Sequence, residues 1–203
     1  MCGIAYEVAI MIHRRFALRA AFVLSAVLPS IGHALTVRCV GNVSQLSAAL
    51  TEANASTDTA FIIRVRTGTY GAAQAFEAFR LITDVPDQVI ELSGGWSGNG
   101  GTCQTRTNDP SQTVLVGTAI RTTLTIGLGD GANSGSVVHV HGLTLRNPAS
   151  YNPAESAACL SGVNVYNGEM RVERLHLEQC VSTASGIPAM SFLNHGSAAG
   201  QAL

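Results

Sequence analysis

Residues 137–147 read VVHVHGLTLRN, and residues 170–179 read MRVERLHLEQ. In the first stretch Val138 and Val140 share one parity, while Leu143 and Leu145 share the other. Alternate residues of a strand face opposite sides, so a single-residue change of phase at Gly142 means a bend between two short strands that face one core. The second stretch repeats the figure with Met170 and Val172, a phase change, then Leu175 and Leu177. Between and after them, GVNVYNG (162–168) is echoed by MSFLNHG (190–196), which aligns Asn167 with Asn194; Asn147 ends a third strand. Weak repeats a few tens of residues long, each too small to bury its own apolar face, are the mark of a stacked solenoid.

Working outward, the same pattern recurs. FIIRVRTGTY alternates with Phe61, Ile63 and Val65 on one side and Arg64 and Arg66 on the other, until Gly68 breaks it. VIELSGG sends Ile90 and Leu92 inward and Glu91 outward, and TTLTIGLG sends Leu124, Ile126 and Leu128 inward with Thr123 and Thr125 outward. One helical pattern stands apart: VSQLSAALTEANA (43–55) places Val43, Leu46, Ala49, Leu50 and Ala53 on one face, with Asn42 or Ser44 able to cap its start. The fold class this predicts is all-β, a right-handed parallel β-helix with a short N-terminal capping α-helix that hides the first edge. An antiparallel β-sandwich is the alternative, disfavoured because two-residue hairpin signals are nearly absent.

In its order of segments the chain resembles the pectin-lyase-like family of secreted parallel β-helix proteins, particularly bacterial surface and autotransporter-type members. The resemblance rests on SQLSAALTEANA, IRVRTGTY, LSGGWSGNGGTCQTRTNDPSQTVLVG and HGLTLRN, and it spans residues 37–182. It implies an architecture, a coil-to-coil excursion at the glycine-rich segment, and structural stacking of asparagines at bends. It does not imply one activity, because the family mixes lyases, hydrolases and adhesins and a fold does not carry chemistry with it.

Composition bounds the function. The 203 residues fit one domain, and 46% hydrophobic against 12% charged argues against disorder. All twelve basic residues are arginine. The lack of lysine removes P-loop, Schiff-base and pyridoxal chemistry, and no basic stripe marks a nucleic-acid partner. The glycine-rich loop ELSGGWSGNGGTCQTRTNDPSQT (91–113) follows a strand but leads into a polar stretch ended by Pro110. A phosphate cradle needs a helix there, so no nucleotide partner is expected.

Residues 1–34 read as an export signal: His13, Arg14, Arg15 and Arg19, then the apolar run 20–28, then Gly32-His33-Ala34 before cleavage. Met11 is a possible true start, and the apolar run is too short for a retained membrane span. The domain expected after it is 35–203, left incomplete because GIPAMSFLNHGSAAGQAL begins another coil without a cap. The expected location is outside the cytoplasm of a bacterium, secreted, periplasmic or on the outer surface. Four cysteines then remain in an oxidising setting, with three possible pairings. On the β-helix reading, Cys103 ties the glycine-rich loop to Cys39 beside the helix, and Cys159 meets Cys180 in neighbouring turns.

Candidate site residues lie on the outer face: Arg64, Arg66, His139, His141 and His176. The H-x-H pair with a third histidine invites zinc, but no carboxylate stands between them, and Arg171 and Glu173 hold the matching positions one repeat later, so a solvated face is expected and no metal or cofactor. Asp58, Asp84, Asp87, Asp109 and Asp130 fall in turns or loops, and Glu169 and Glu178 flank a strand that holds Glu173. None matches a lyase or hydrolase motif, so no catalytic residue is assigned. Two glycan acceptor patterns, at Asn42 and Asn54, are discounted in a bacterial chain. The expected function is binding, adhesion or structural support at a cell or host surface, plausibly toward extracellular polysaccharide. The rival is a polysaccharide lyase or glycoside hydrolase whose site lies in coils beyond this sequence.

Overall fold

The structure is a computed structural model that describes residues 34–72, 79–118, 121–128, 135–148, 158–164, 168–180 and 190–194. The expected export signal, apart from Ala34, lies outside the described residues, as do Asp130 and Asn167. The described residues are mostly strand, in parallel sheets, with one α-helix.

The strands are β1 (Leu35–Val40), β2 (Ala60–Arg66), β3 (Gly68–Gly71), β4 (Phe79–Thr83), β5 (Val89–Ser97) and β6 (Thr105–Arg106). There follow β7 (Thr113–Val116), β8 (Leu124–Leu128), β9 (Val137–Arg146), β10 (Leu160–Asn164), β11 (Glu169–Glu178) and β12 (Met190–Asn194). They form three parallel ladders. The first runs β1, β2, β5 and the leading halves of β9 and β11. The second runs β3, β7 and the trailing halves of β9 and β11. The third runs β4, β8, β10 and β12. The chain visits the three in turn and then starts again one strand further on. Only β5 and β6 pair antiparallel among the described residues, which excludes the hairpin sandwich there.

Register explains the core. Phe61, Ile90, Val138 and Met170 align in the first ladder, as do Ile63, Leu92, Val140 and Val172. Tyr70, Leu115, Leu145 and Leu177 align in the second, and Phe79, Leu124, Leu160 and Met190 in the third. Phe61, Ile63, Ile90, Leu92, Leu115, Leu124, Leu143 and Leu145 are fully buried. Each such side chain contributes about 1.5–3 kcal/mol of apolar burial. The expected change of phase sits at Gly142, whose φ is +67°. That left-handed conformation costs glycine little and turns β9 from the first ladder into the second.

The helix α1 (Val43–Ala55) forms where the periodicity places it. Asn42 is its cap: its side chain accepts from the Gln45 amide at 2.9 Å, and the Gln45 side chain accepts from the Gly41 amide at 2.8 Å. The first bond satisfies an amide that a helix start leaves orphaned, and the second ties the entering chain to the first turn. Leu46, Ala49, Leu50 and Ala53 are buried against β4, β1 and β2. Asn54 clamps the far end, accepting from the Ile82 amide at 2.8 Å and donating to the Arg80 carbonyl at 3.2 Å. Both asparagines of the discounted glycan patterns are thus engaged in holding the helix.

Three expectations need correction. Thr123 faces inward: it is fully buried and its hydroxyl donates to the Arg146 carbonyl at 3.1 Å, since the turn into β8 lies beneath the end of β9. Asn194 aligns with Asn164, because the register that sets Leu160 opposite Met190 lies three residues from the expected alignment. Glu169, expected in a turn, is the first residue of β11, while Glu178 ends the strand after Leu177 as expected. Asn147 does cap its bend as a buried group, donating to the carbonyls of Arg121 at 3.1 Å and Ala158 at 3.3 Å.

Candidate functional site

The outer face of the first ladder carries the chemistry. Parallel register sets Ile62, Glu91, His139 and Arg171 in one row, and Arg64, Ser93, His141 and Glu173 in the next. Neighbouring strands stand about 4.8 Å apart, so groups in one row are within reach of each other. The His139 and His141 rings stack with centroids 4.2 Å apart and planes 9° from parallel.

His141 is held at both nitrogens. Its Nε2 lies 3.0 Å from Glu91 Oε1, and its Nδ1 lies 2.8 Å from a terminal nitrogen of Arg106 and 3.4 Å from one of Arg174. A guanidinium only donates, so Nδ1 accepts, and Nε2 carries the proton it donates to Glu91. That hydrogen bond is the first cause of a Glu91 carboxyl held below the usual range, against the opposing effect of burial. His139 differs. Its Nε2 makes no hydrogen bond and faces Glu173 Oε1 at 3.5 Å. Burial, and then the neighbouring His141, pull its pKa down, favouring the neutral ring. Glu91, His139 and His141 each offer one metal-ligating atom, all within 4.8 Å of one another.

The glycine-rich loop folds back over this face. Trp96 pairs with Arg106 across β5 and β6, and the Arg106 Nε donates to the Gly94 carbonyl at 2.9 Å. A side chain at Gly94 would overlap the Gly142 carbonyl and Leu143, so the approach needs glycine. Arg64 lies on the Trp96 ring, 4.4 Å from its centroid, with Arg106 at 5.7 Å. The Cys39–Cys103 disulfide, Cα atoms 5.7 Å apart, fastens the loop to β1 as expected. The loop ends in a single helical turn, Pro110–Gln112, followed directly by β7. One turn supplies too few aligned amides for a phosphate site.

Of the five expected site residues, Arg64, His139 and His141 share this face. Arg66 stands at its border opposite Trp96. His176 belongs to the second ladder, opposite Thr144, with its side chain 56% exposed and 3.7 Å from Glu178. The solvated reading fails for His141, whose side chain is 8% exposed, because Arg106 and Glu91 cover it. The missing carboxylates come from the neighbouring strands: Glu91 from β5 and Glu173 from β11. Sequence reading also missed Arg106 and Arg174. Glu91 reads as outward, but nothing local says which later residue lies beside it.

The second expected disulfide, Cys159–Cys180, is present with Cα atoms 5.3 Å apart. Two disulfides suit an oxidising environment outside the cytoplasm. No helix among the described residues is long and apolar enough to cross a membrane. Set against protein-family models, curated proteins and solved structures, the chain matches none.

Proposed function

We propose that the three ladders wind as one right-handed parallel β-helix, exported to the cell surface, and that its outer face binds an extended acidic polysaccharide in an adhesive role. The observation that carries this reading is the register of the outer rows, which repeats polar side chains strand after strand along one face. A linear polymer presents its groups at regular intervals, and a surface of regular intervals can meet several at once. Arg64 and Arg66 supply planar, permanently charged forks suited to carboxylates, with the Arg64 fork held over the Trp96 ring. The two disulfides support export. Affinity electrophoresis through gels containing polygalacturonate or a neutral glucan tests the reading. The intact protein is expected to be retarded only by the acidic polymer, and the Arg64→Ala/Arg66→Ala variant to lose most of that retardation. Equal migration in both gels would leave a structural stalk instead.

A second reading, a polysaccharide lyase, is favoured by the Glu91–His141 pair, since a carboxylate and an imidazole at 3.0 Å can relay a proton. Sustained release of unsaturated sugar ends from polygalacturonate, followed in the ultraviolet, would establish it over simple binding.

A further inference from the structure

We propose that Glu91, His139, His141 and Glu173 bind a divalent transition metal, zinc or a close analogue, on the outer face of the first ladder. Two imidazoles and two carboxylates form a mixed nitrogen and oxygen set of the kind that suits zinc. Spacing supports it. Ligand atoms about 2 Å from a tetrahedral ion stand about 3.3 Å from each other. The two histidine–carboxylate separations, 3.0 Å for His141–Glu91 and 3.5 Å for His139–Glu173, bracket that value. The separations among Glu91, His139 and His141 are no more than 4.8 Å, and Glu173, 3.5 Å from His139 but outside that close set, swings inward as the fourth ligand.

The four residues also come from paired strands in fixed register, β5, β9 and β11, so little backbone order must be gained on binding. His139 adds an independent sign: its Nε2, aimed at Glu173, has no hydrogen bond. A buried ring nitrogen without a partner is an open position that an ion would fill. Ligation through His141 Nε2 moves the proton it now gives Glu91 to Nδ1, so Arg106 and Arg174, which donate to Nδ1 in the empty site, must turn away. The expected affinity is therefore micromolar rather than nanomolar. The site does not depend on polysaccharide binding, and either reading can fail while the other stands.

Isothermal titration of the full-length protein with zinc chloride tests the site, paired with cobalt substitution read by its visible absorption. One ion per chain is expected, with visible cobalt bands of a four-coordinate site. His139→Ala leaves no orphaned hydrogen-bond partner at Nε2, so it is expected to keep the fold while weakening zinc about tenfold or more. Glu91→Gln, which keeps shape and removes the charge, is expected to do the same. His176→Ala, on the other ladder, should change nothing. Circular dichroism confirms that each variant is folded. No heat beyond dilution in the parent protein, unchanged affinity in folded His139→Ala or Glu91→Gln, or loss in His176→Ala would each overturn the proposal.

Discussion

Gly142 and Arg174 fill one place in the fold a strand apart, between the aligned pairs His141–Glu173 and Leu143–Leu175. Both take positive φ, +67° and +49°. The bend between the first and second ladders therefore demands a left-handed residue whatever its side chain. For a residue with a Cβ that conformation costs about 1–2 kcal/mol. Gly142→Ala should lose at least that much in urea unfolding, since its Cβ also crowds the Arg106 terminal nitrogen that holds His141. Gly71→Ala, with open space around it and no positive φ, is the matched control and should shift stability by less than about 0.5 kcal/mol. Equal losses in the two would mean that the bend is not where the strain lies. At this scale the sequence was readable where a residue's own parity or chirality decides, as at Gly142, Leu143 and Leu145. It was not readable at Arg174, because nothing in an arginine announces a left-handed backbone.

Elements were legible in proportion to how local their causes are. The helix α1 came out with the expected bounds because its apolar spacing and its cap lie within its own residues. Its cap gives a direct prediction: Asn42→Ala removes the acceptor for the Gln45 amide and should cost about 1 kcal/mol in denaturant unfolding, while Ser44→Ala should cost much less. If Ser44→Ala proved the more damaging, the helix would begin elsewhere. Strand pairings were harder. Asn194 was set against Asn167 and lies against Asn164, because a repeat read along the chain does not reveal how many residues each intervening turn takes up. The Glu91–His139 pairing was invisible for the same reason. The loop and strands between them decide which outer residue of β9 comes to rest beside β5, and that is a tertiary result. Hence the outer histidines and the matching place of Glu173 one repeat later were legible, while the approach of Glu91 from β5 was not.

At the scale of the whole molecule, two disulfides cross-link segments distant in the chain. Cys39–Cys103 closes a span of 64 residues and holds the glycine-rich loop over the first ladder, whereas Cys159–Cys180 closes 21 residues beside β10 and β11. Chain-entropy reasoning makes the first worth about 4 kcal/mol and the second about 3 kcal/mol. Paired serine substitutions, compared by urea unfolding, should therefore destabilise in that order. The first should also free Arg106 and expose His141, which the second should leave covered. The reverse order would mean that strain or residual structure, and not loop closure, dominates these bridges. Both pairings were readable in advance only through the stacked architecture, because spacing alone allows three.

The central claim is that outer residues of β5, β9 and β11 stand side by side in parallel register, with alternating aliphatics turned to a shared interior. Cross-strand nuclear Overhauser contacts in the isotopically labelled full chain test it most directly. The account predicts that backbone contacts advance in the same direction along all three strands, Val89 to Val137, Glu91 to His139 and Ser93 to His141, then His139 to Arg171 and His141 to Glu173. Contacts that run in opposite directions, with Val89 beside His141 and Ser93 beside Val137, would contradict it, and the metal site and the binding face would go with it.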